Sequence, residues 1–297
     1  MRILLTGGSG FLGTTLAKIA INKGHEVYSA YYRNLPRYGT PISMDITKAD
    51  RVAEVFEAAR PIVIIHTAAL ADVDLCEQDK QTAWMTNVVG TENIVESARR
   101  TKCFLIFVSS DYVFQGDKGQ YVETDSVNPV NFYGITKVKG EAATASLSED
   151  GCTIRSSTIF GSDIRPQKAN FALWVLENLI KNRSINVITD QYVSPTLNSN
   201  LSNMILEIAE THISGIFHAA GSTKISRFDF AKVIAEVFCL DSDLINPTIL
   251  NEMKWKAERP HNTSLNVEKA SSILRNKPLS LAESMEILKK ELEIKQE

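Results

Sequence analysis

The sequence predicts an α/β fold built on a Rossmann-type, doubly wound parallel sheet, with a smaller, mixed α/β lobe. In the first half of the chain, short apolar runs suited to buried strands alternate with amphipathic stretches of helical period. This alternation predicts a parallel sheet with right-handed crossovers. Past about Phe160 the segments become shorter and more scattered. We therefore place the Rossmann domain at residues 1–160 and the smaller lobe at residues 161–297, with a boundary that the chain can cross back over.

The first strand, residues 2–6, runs into a glycine-rich turn and then into a helical pattern. Gly7 permits a tight turn, Gly10 lets the backbone approach a pyrophosphate, and Gly13 lets the helix pack on the strand. The N-terminus of that helix adds N–H donors and the positive end of a dipole. The predicted phosphate-binding loop consists of Gly7, Gly10, Phe11, Leu12 and Gly13.

A second strand, from His25 to Tyr32, ends at Arg33. A site that prefers NAD usually carries an acidic residue here for the ribose hydroxyls, whereas a guanidinium suits a 2′-phosphate. The sequence therefore favours NADP(H), with NAD(H) as the alternative. Asp45 and Ile46 end the next apolar stretch, where Asp45 can accept a hydrogen bond from the adenine amino group or cap a helix.

Two further strands are predicted at residues 61–65 and 104–108, with helices at residues 51–59 and 83–100. The residues after the first of these strands are small and leave room for a cofactor across the carboxyl ends of the sheet. They are Thr67, Ala68 and Ala69. The residues after the second strand are polar and lie at the expected rim of a site. They are Ser110, Asp111 and Tyr112.

A helix that begins near Asn131 carries Tyr133 and Lys137, which are four residues apart and share one face. An ammonium group beside a phenol favours the phenolate and lowers the tyrosine pKa from its reference value near 10. Such a tyrosine can donate a proton to a carbonyl oxygen while a cofactor delivers hydride to the carbon. Because this spacing is common in helices, the pair gains its weight from the motifs upstream.

The second half of the chain carries fewer strong signals. Residues 152–159 are predicted to form a further strand, and residues 215–219 are a candidate for another. Helices are predicted at residues 170–181, 228–238 and 281–292.

Composition narrows the classes of protein that fit. The 297 residues include 32 Lys and Arg against 35 Asp and Glu, a net charge of −3 without a long charged run, which argues against a nucleic-acid partner. The four cysteines are scattered, with no C-x-x-C pair and no nearby His cluster, so neither disulfides nor a metal site is expected. No apolar stretch reaches the roughly 18 residues needed to span a membrane. These features predict a cytoplasmic protein.

Four motifs, in this order, resemble the extended short-chain dehydrogenase/reductase superfamily. They are Gly-x-x-Gly-x-x-Gly at 7–13, Thr-Ala-Ala at 67–69, Ser-Ser-Asp-Tyr-Val-Phe at 109–114, and Tyr-Gly-x-Thr-Lys-x-x-Gly-Glu at 133–141. Within this superfamily the chain most resembles the dTDP-4-dehydrorhamnose reductases. The narrower resemblance rests on residues 111–114, on Tyr121-x-Glu123-x-Asp125, on Asp190-Gln191-Tyr-Val-Ser-Pro195-Thr196, and on Arg259-Pro260-x-Asn262-x-x-Leu265.

The resemblance implies roles for individual residues. Ser110 would hydrogen-bond the substrate carbonyl, Tyr133 would donate the proton, and Lys137 would hold the nicotinamide ribose and lower the tyrosine pKa. A serine hydroxyl at the end of a strand also fits the polarisation of a carbonyl. Arg259 suits a nucleotide diphosphate because a planar guanidinium matches phosphate oxygens. The expected substrate contacts are Asp111, Tyr112, Gln191, Thr196 and Arg259.

The function implied is the reduction, with NADPH, of the 4-keto group of dTDP-4-dehydro-L-rhamnose to dTDP-L-rhamnose. Two alternatives remain. One is another nucleotide-sugar oxidoreductase, epimerase or dehydratase of the same superfamily. The other is a NADP-binding regulatory subunit of the methionine adenosyltransferase β type, since the segment from Arg33 to Arg37 also resembles that group. The segment from Gln191 to Thr196 favours the reductase. The expected partner is a nucleotide-sugar substrate, and a homodimer is left open.

Overall fold

A computed structural model describes residues 1–163 and 170–293 of the chain. The strands in these ranges are β1 (Arg2–Thr6), β2 (Glu26–Tyr31), β3 (Thr40–Ser43), β4 (Val63–His66), β5 (Phe104–Val108), β6 (Gly151–Arg155), β7 (Ile159–Phe160), β8 (Ile185–Ile188), β9 (Tyr192–Val193), β10 (Thr196–Leu197), β11 (Gly215–His218), β12 (Ile225–Ser226) and β13 (Ile245–Thr248). The α-helices are α1 (Phe11–Asn22), α2 (Ala49–Ala59), α3 (Val73–Gln78), α4 (Lys80–Trp84), α5 (Gly90–Thr101), α6 (Phe132–Ala145), α7 (Phe171–Ile180), α8 (Asn198–Thr211), α9 (Arg227–Val237), α10 (Glu268–Ile273) and α11 (Leu281–Glu293).

Seven strands form a parallel central sheet in the order β11-β6-β5-β4-β1-β2-β3. The register places Leu4 of β1 between Tyr28 of β2 and Ile64 of β4. The strand order reverses at β1, which is the switch point of a doubly wound sheet. The predicted Rossmann-type fold class is therefore confirmed, and the carboxyl ends of all seven strands meet at one edge.

Helices cover both faces of the sheet. On one face, α1 and α8 pack together over β1, β5 and β6, and their apolar residues belong to one buried cluster. On the other face, α2 and α5 pack over β1 and β4. The apolar residues of α2 show why it lies there: Val52, Val55, Phe56 and Ala59 are all buried and recur at the spacing of one helical face.

A second buried cluster belongs to the smaller lobe. It joins α7, α9 and α11 to the parallel pair β8 and β13, with Phe160 and Phe230 in edge-on contact at 5.3 Å. The chain crosses back to the central sheet between these elements, because β11 pairs with β6. The second half of the chain therefore contributes to both the central sheet and the smaller lobe. The domain boundary near residue 160 stays a prediction.

Several elements differ from expectation, and three of them bear on the sheet and the site. The strand predicted at residues 152–159 ends at Arg155, and the chain resumes extended pairing only at β7. The helix predicted at residues 83–100 is interrupted by a π-helical turn, Met85–Val89, between α4 and α5. Helix α8 was not predicted, although it supplies much of one sheet face. Among the described residues, no helix is long and apolar enough to cross a bilayer.

Candidate active site

A cavity of about 680 Å³ opens at the carboxyl edge of the sheet, beyond the ends of β1, β2, β3 and β4. Ligands of open α/β sheets bind at this edge. Eight of the residues expected to bind the cofactor line the cavity: Gly7, Gly10, Arg33, Asp45, Ile46, Thr67, Ala68 and Ala69. Other parts of the wall were not anticipated, and they include Tyr32, Asn34, Met85 and Thr86.

The conformation of the glycine loop depends on Gly7 and Gly13. Gly7 has a φ of +68°, a left-handed conformation that favours glycine. A Cβ on Gly13 would lie 2.2 Å from the Gly7 carbonyl oxygen, so only glycine lets α1 pack this close to the loop. The Gly10 N–H donates to the same carbonyl at 2.7 Å. Phe11, Leu12 and Gly13 form the first turn of α1 behind the loop rather than the cavity wall.

Arg33 and Asp45 face the cavity from beyond the ends of β2 and β3. The Arg33 guanidinium lies over the Tyr32 ring, 5.4 Å from its centroid, and the residue is exposed. Oδ1 of Asp45 accepts from the backbone N–H and the hydroxyl of Thr47, at 3.0 and 2.8 Å. Asp45 therefore stabilises the turn before α2 but does not cap that helix, whose N-cap is Lys48. It also lines the cavity, and its contact with an adenine amino group stays a prediction.

Ser110 and the helix α6 lie where β5 ends. The Ser110 side chain caps a short 3₁₀ turn, with its Oγ accepting the Tyr112 N–H at 3.2 Å. Asn131 caps α6, because its side-chain oxygen accepts a backbone N–H of the first turn at 2.9 Å. The predicted start of this helix is thus correct, and Tyr133 and Lys137 occupy its first turn and a half.

The expected lowering of the Tyr133 pKa by Lys137 is not found. Burial raises the pKa of Tyr133 above its ordinary range, and the Ser110 hydroxyl, which favours the phenolate, opposes that rise. The Lys137 ammonium donates to the Val108 carbonyl at 2.6 Å and lies 4.2 Å from the centroid of the Phe107 ring. Burial lowers the pKa of Lys137 to about 8. Loss of solvent therefore outweighs the attraction that the spacing of the pair suggested.

Three of the expected substrate contacts have buried side chains. Asp111, Gln191 and Thr196 are 3%, 1% and 0% exposed. The Thr196 hydroxyl donates to the Ser157 carbonyl at 2.6 Å, and the Gln191 amide donates to the Pro260 carbonyl at 3.1 Å. Because these groups already bond within the protein, they support the wall of the site, and direct contact with a substrate stays a prediction for them.

The other two expected substrate contacts, Tyr112 and Arg259, are partly accessible. The Tyr112 ring meets the Tyr133 ring edge-on, with centroids 6.2 Å apart. The Arg259 guanidinium forms an ion pair with Asp74 of α3 at 3.1 Å and lies 4.8 Å from the centroid of the Trp255 ring. The Arg259 side chain is 11% exposed. A diphosphate would therefore compete with Asp74 for this guanidinium.

Arg227, at the start of α9, is a site residue that the sequence analysis missed. Its Nε donates to the Gln191 side-chain oxygen at 2.5 Å, and the residue is partly exposed. Its charge lowers the pKa of Asp111 and of Tyr112, against the larger effect of burial, which raises both. In the sequence, Arg227 is simply a basic residue that follows the helix cap Ser226. Because this pattern is common on protein surfaces, it gives no signal of a site.

This sheet order, with a glycine loop at the first crossover and Ser110, Tyr133 and Lys137 beyond β5, defines the class of the protein as an extended short-chain dehydrogenase/reductase. The chain belongs to the RmlD substrate binding domain family, whose model matches residues 1–293. Within the described residues, no group of three or more His, Cys, Asp and Glu side chains could hold a metal ion.

Three relatives show the range of the family. The chain is 33% identical to a dTDP-4-dehydrorhamnose reductase of Aggregatibacter actinomycetemcomitans, over 90% of this chain and 91% of that protein. It is 30% identical to methionine adenosyltransferase 2 subunit beta of Xenopus tropicalis, over 92% of this chain and 82% of that protein. A crystal structure of dTDP-4-dehydrorhamnose reductase from Bacillus anthracis, in complex with NADP, superposes with a TM-score of 0.88 at 28% identity, over 98% and 99% of the two chains.

Proposed function

We propose that the chain is a NADPH-dependent reductase that converts the 4-keto group of dTDP-4-dehydro-L-rhamnose to the alcohol of dTDP-L-rhamnose. The observation that carries the proposal is the position of Ser110 and Tyr133 at the sheet edge that also holds the glycine-lined cavity. Similarity to dTDP-4-dehydrorhamnose reductases along nearly the whole chain supports the choice of substrate.

The cavity fits a dinucleotide cofactor. Gly7 and Gly10 line the cavity beside the N-terminus of α1, where backbone N–H groups and the helix dipole suit a pyrophosphate. Arg33 offers an exposed guanidinium at the far end of the cavity, where a 2′-phosphate suits it. NADP(H) is therefore the favoured cofactor, and NAD(H) is the alternative. When bound, the cofactor supplies the hydride that is added to the carbonyl carbon.

The residues of the chain supply the proton and orient the carbonyl. Because burial raises the pKa of Tyr133, its phenol is held in the protonated form that a general acid needs. Tyr133 donates this proton to the carbonyl oxygen, which becomes the product hydroxyl. The Ser110 hydroxyl polarises the same oxygen by donating a hydrogen bond to it. Lys137 would hold the nicotinamide ribose of a bound cofactor.

The direct test is oxidation of NADPH by the purified protein in the presence of dTDP-4-dehydro-L-rhamnose. Tyr133→Phe removes only the hydroxyl, so cofactor affinity should persist while turnover falls by roughly 10²–10⁴-fold. Tyr28→Phe is the matched control, because the Tyr28 hydroxyl bonds Glu26 on an exposed part of β2. Near-normal turnover in Tyr133→Phe would refute the role of Tyr133.

A regulatory subunit is the main rival, because a methionine adenosyltransferase subunit is among the relatives. For the reductase, dTDP should raise the thermal stability of the protein by RT ln(1 + [L]/Kd), without any methionine adenosyltransferase present. A panel of nucleotide sugars, assayed with both nicotinamides, separates the reductase from epimerases and dehydratases. If the protein binds NADPH but shows neither dTDP stabilisation nor NADPH oxidation with any 4-keto nucleotide sugar, the regulatory role becomes the better proposal.

We also propose a cytoplasmic location, which the four free cysteines support. A homodimer stays a prediction.

A further inference from the structure

The Asp111 carboxylate is a buried meeting point of three hydroxyl groups. It is 3% exposed and lies directly after Ser110 in the turn beyond β5. Ser110 Oγ donates to Oδ1 at 3.0 Å. Ser157 Oγ and Thr263 Oγ1 both donate to Oδ2, at 2.7 and 2.5 Å. Each hydroxyl comes from a different part of the chain, so the carboxylate joins the end of β5, the segment after β6 and the C-terminal segment.

The two oxygens of this carboxylate have separate tasks. Oδ2 joins the segments of Ser157 and Thr263 and so has a structural role. Of the three hydroxyls, only that of Ser110 donates to Oδ1. The Ser110 oxygen in turn accepts the Tyr112 N–H. The Ser110 oxygen is thus held from two sides, and its hydrogen points at Asp111. A rotation about the Cβ–Oγ bond turns that hydrogen toward a substrate carbonyl without moving the oxygen.

We propose that Asp111 is a positioning residue that acts through Ser110, rather than a residue that contacts the substrate. This inference rests on the proposed function, because it concerns the hydroxyl that polarises the carbonyl. Asp111 fixes the position of the Ser110 oxygen through Oδ1 before a substrate is bound, and the Tyr112 N–H keeps the oxygen there when its hydrogen turns to the carbonyl. The three bonds that Asp111 accepts keep its own side chain inside the protein.

A double-mutant cycle tests the proposal. Asp111→Asn offers one acceptor oxygen in place of two, so it cannot serve all three hydroxyls. In the otherwise wild-type protein it should lower kcat by roughly 2- to 100-fold, the range for residues in contact, and change KM less. In the Ser110→Ala background the same substitution should cause no further loss of kcat, because the group through which Asp111 acts is already gone.

Thr263→Val is the matched control, because it removes one donor from Oδ2 and leaves the bond between Oδ1 and Ser110. It should lower thermal stability while kcat stays within about twofold of wild type. If Asp111→Asn does not fold, Asp111→Ser enters the same cycle. These variants separate a general loosening of the fold from misplacement of the Ser110 hydroxyl.

Three results would overturn the positioning role. They are an equal loss of kcat from the Asp111 substitution in both backgrounds, a rise in KM with unchanged kcat, and wild-type kinetics in Asp111→Asn. The second of these would return Asp111 to direct substrate contact. A wild-type protein without turnover overturns the proposed function itself, and this outcome is distinct because it is seen before any variant is made.

Discussion

At the scale of single residues, we expect Arg33 to govern the choice between the two nicotinamide cofactors. Its exposed guanidinium can meet a 2′-phosphate that NADH lacks. Arg33→Ala should therefore weaken NADPH binding by about tenfold or more, the loss expected for a charged hydrogen bond, and leave NADH binding nearly unchanged. Fluorescence titration with each cofactor measures both affinities.

Arg37→Ala is the control for this experiment, since Arg37 lies in the same exposed loop but is not among the residues that line the cavity. An equal loss of affinity for NADPH and NADH in Arg33→Ala would make Arg33 an ordinary surface residue.

Local sequence predicts the placement of candidate site residues when that placement depends on neighbouring residues in the chain. The glycine loop and the helix of Tyr133 and Lys137 are of this kind. The environment of Asp111 is not, because it depends on Thr263, a residue 152 positions away. The prediction of a lowered Tyr133 pKa was wrong for the same reason. Burial by the rest of the fold raises this pKa and outweighs the effect of a neighbour on the same helix.

At the scale of elements, strongly amphipathic helices and the apolar strands of the central sheet were predicted, whereas helix α8, the π-helical turn and most short elements of the second half were not. Helix α8 opens with Asn198, Ser199 and Asn200, residue types that favour caps and turns over helix interiors. Its apolar face is recognised only once α1 is in place beside it. The π-helical turn Met85–Val89 was not predicted, because one extra residue in a helical turn does not change the composition of the segment.

That π-helical turn holds Asn87, which joins the cavity to the helix α6. The Asn87 side chain is 2% exposed, accepts the Leu70 N–H at 2.7 Å and donates to the Leu70 carbonyl at 3.0 Å. It also donates to the Thr136 hydroxyl at 3.1 Å. Asn87→Ala leaves both Leu70 groups without this partner, so we expect a loss of about 1–3 kcal/mol in unfolding free energy.

The same substitution should weaken NADPH binding, because Leu70 lines the cavity. Urea unfolding and cofactor titration measure the two effects. Asn178→Ala is the control, since the Asn178 side chain bonds only the preceding turn of α7 among the described contacts. Unchanged NADPH affinity in Asn87→Ala would separate the π-helical turn from the cofactor site.

At the scale of the whole molecule, buried polar networks join the two halves of the chain. Arg155 of β6 pairs with Glu141 of α6 through two bonds of 2.9 and 2.7 Å, and both side chains are buried. Ser109 also donates to Glu141 at 2.6 Å, and Arg155 approaches His218 of β11 at 3.4 Å. Removal of one partner from such a pair leaves a buried charge uncompensated, which costs more than the pair contributes.

A second network fixes the protonation of His66. The Thr91 hydroxyl donates to the Asn87 carbonyl at 2.7 Å, so it accepts from His66 Nε2 at 3.0 Å. Burial lowers the pKa of His66 to about 3, so the ring is neutral and carries one proton. With that proton on Nε2, Nδ1 is an acceptor and takes the Thr6 hydroxyl hydrogen at 2.6 Å, while the Thr6 oxygen accepts the Ala68 N–H at 3.2 Å.

This neutral state makes the stability of the fold depend on pH. Unfolded His66 binds a proton near its ordinary pKa of about 6.5, whereas the folded residue does not until about pH 3. The unfolded state thus binds more protons in this window, so stability is fully present above about pH 6.5 and falls as the pH drops. Burial also lowers the pKa of His218, which adds a loss of the same sign.

We expect each of these histidines to reduce the unfolding free energy by about 1.4 kcal/mol per pH unit well below pH 6.5. Urea unfolding between about pH 7 and pH 5 isolates them from most carboxylates, which titrate lower. His66→Gln keeps a donor toward Thr91 but does not titrate, so its stability should fall less steeply with acid than that of the wild type. His261→Gln, at a side chain 61% exposed, should keep the wild-type slope. An identical slope in wild type and His66→Gln would show that folded His66 takes up its proton as readily as the unfolded chain does.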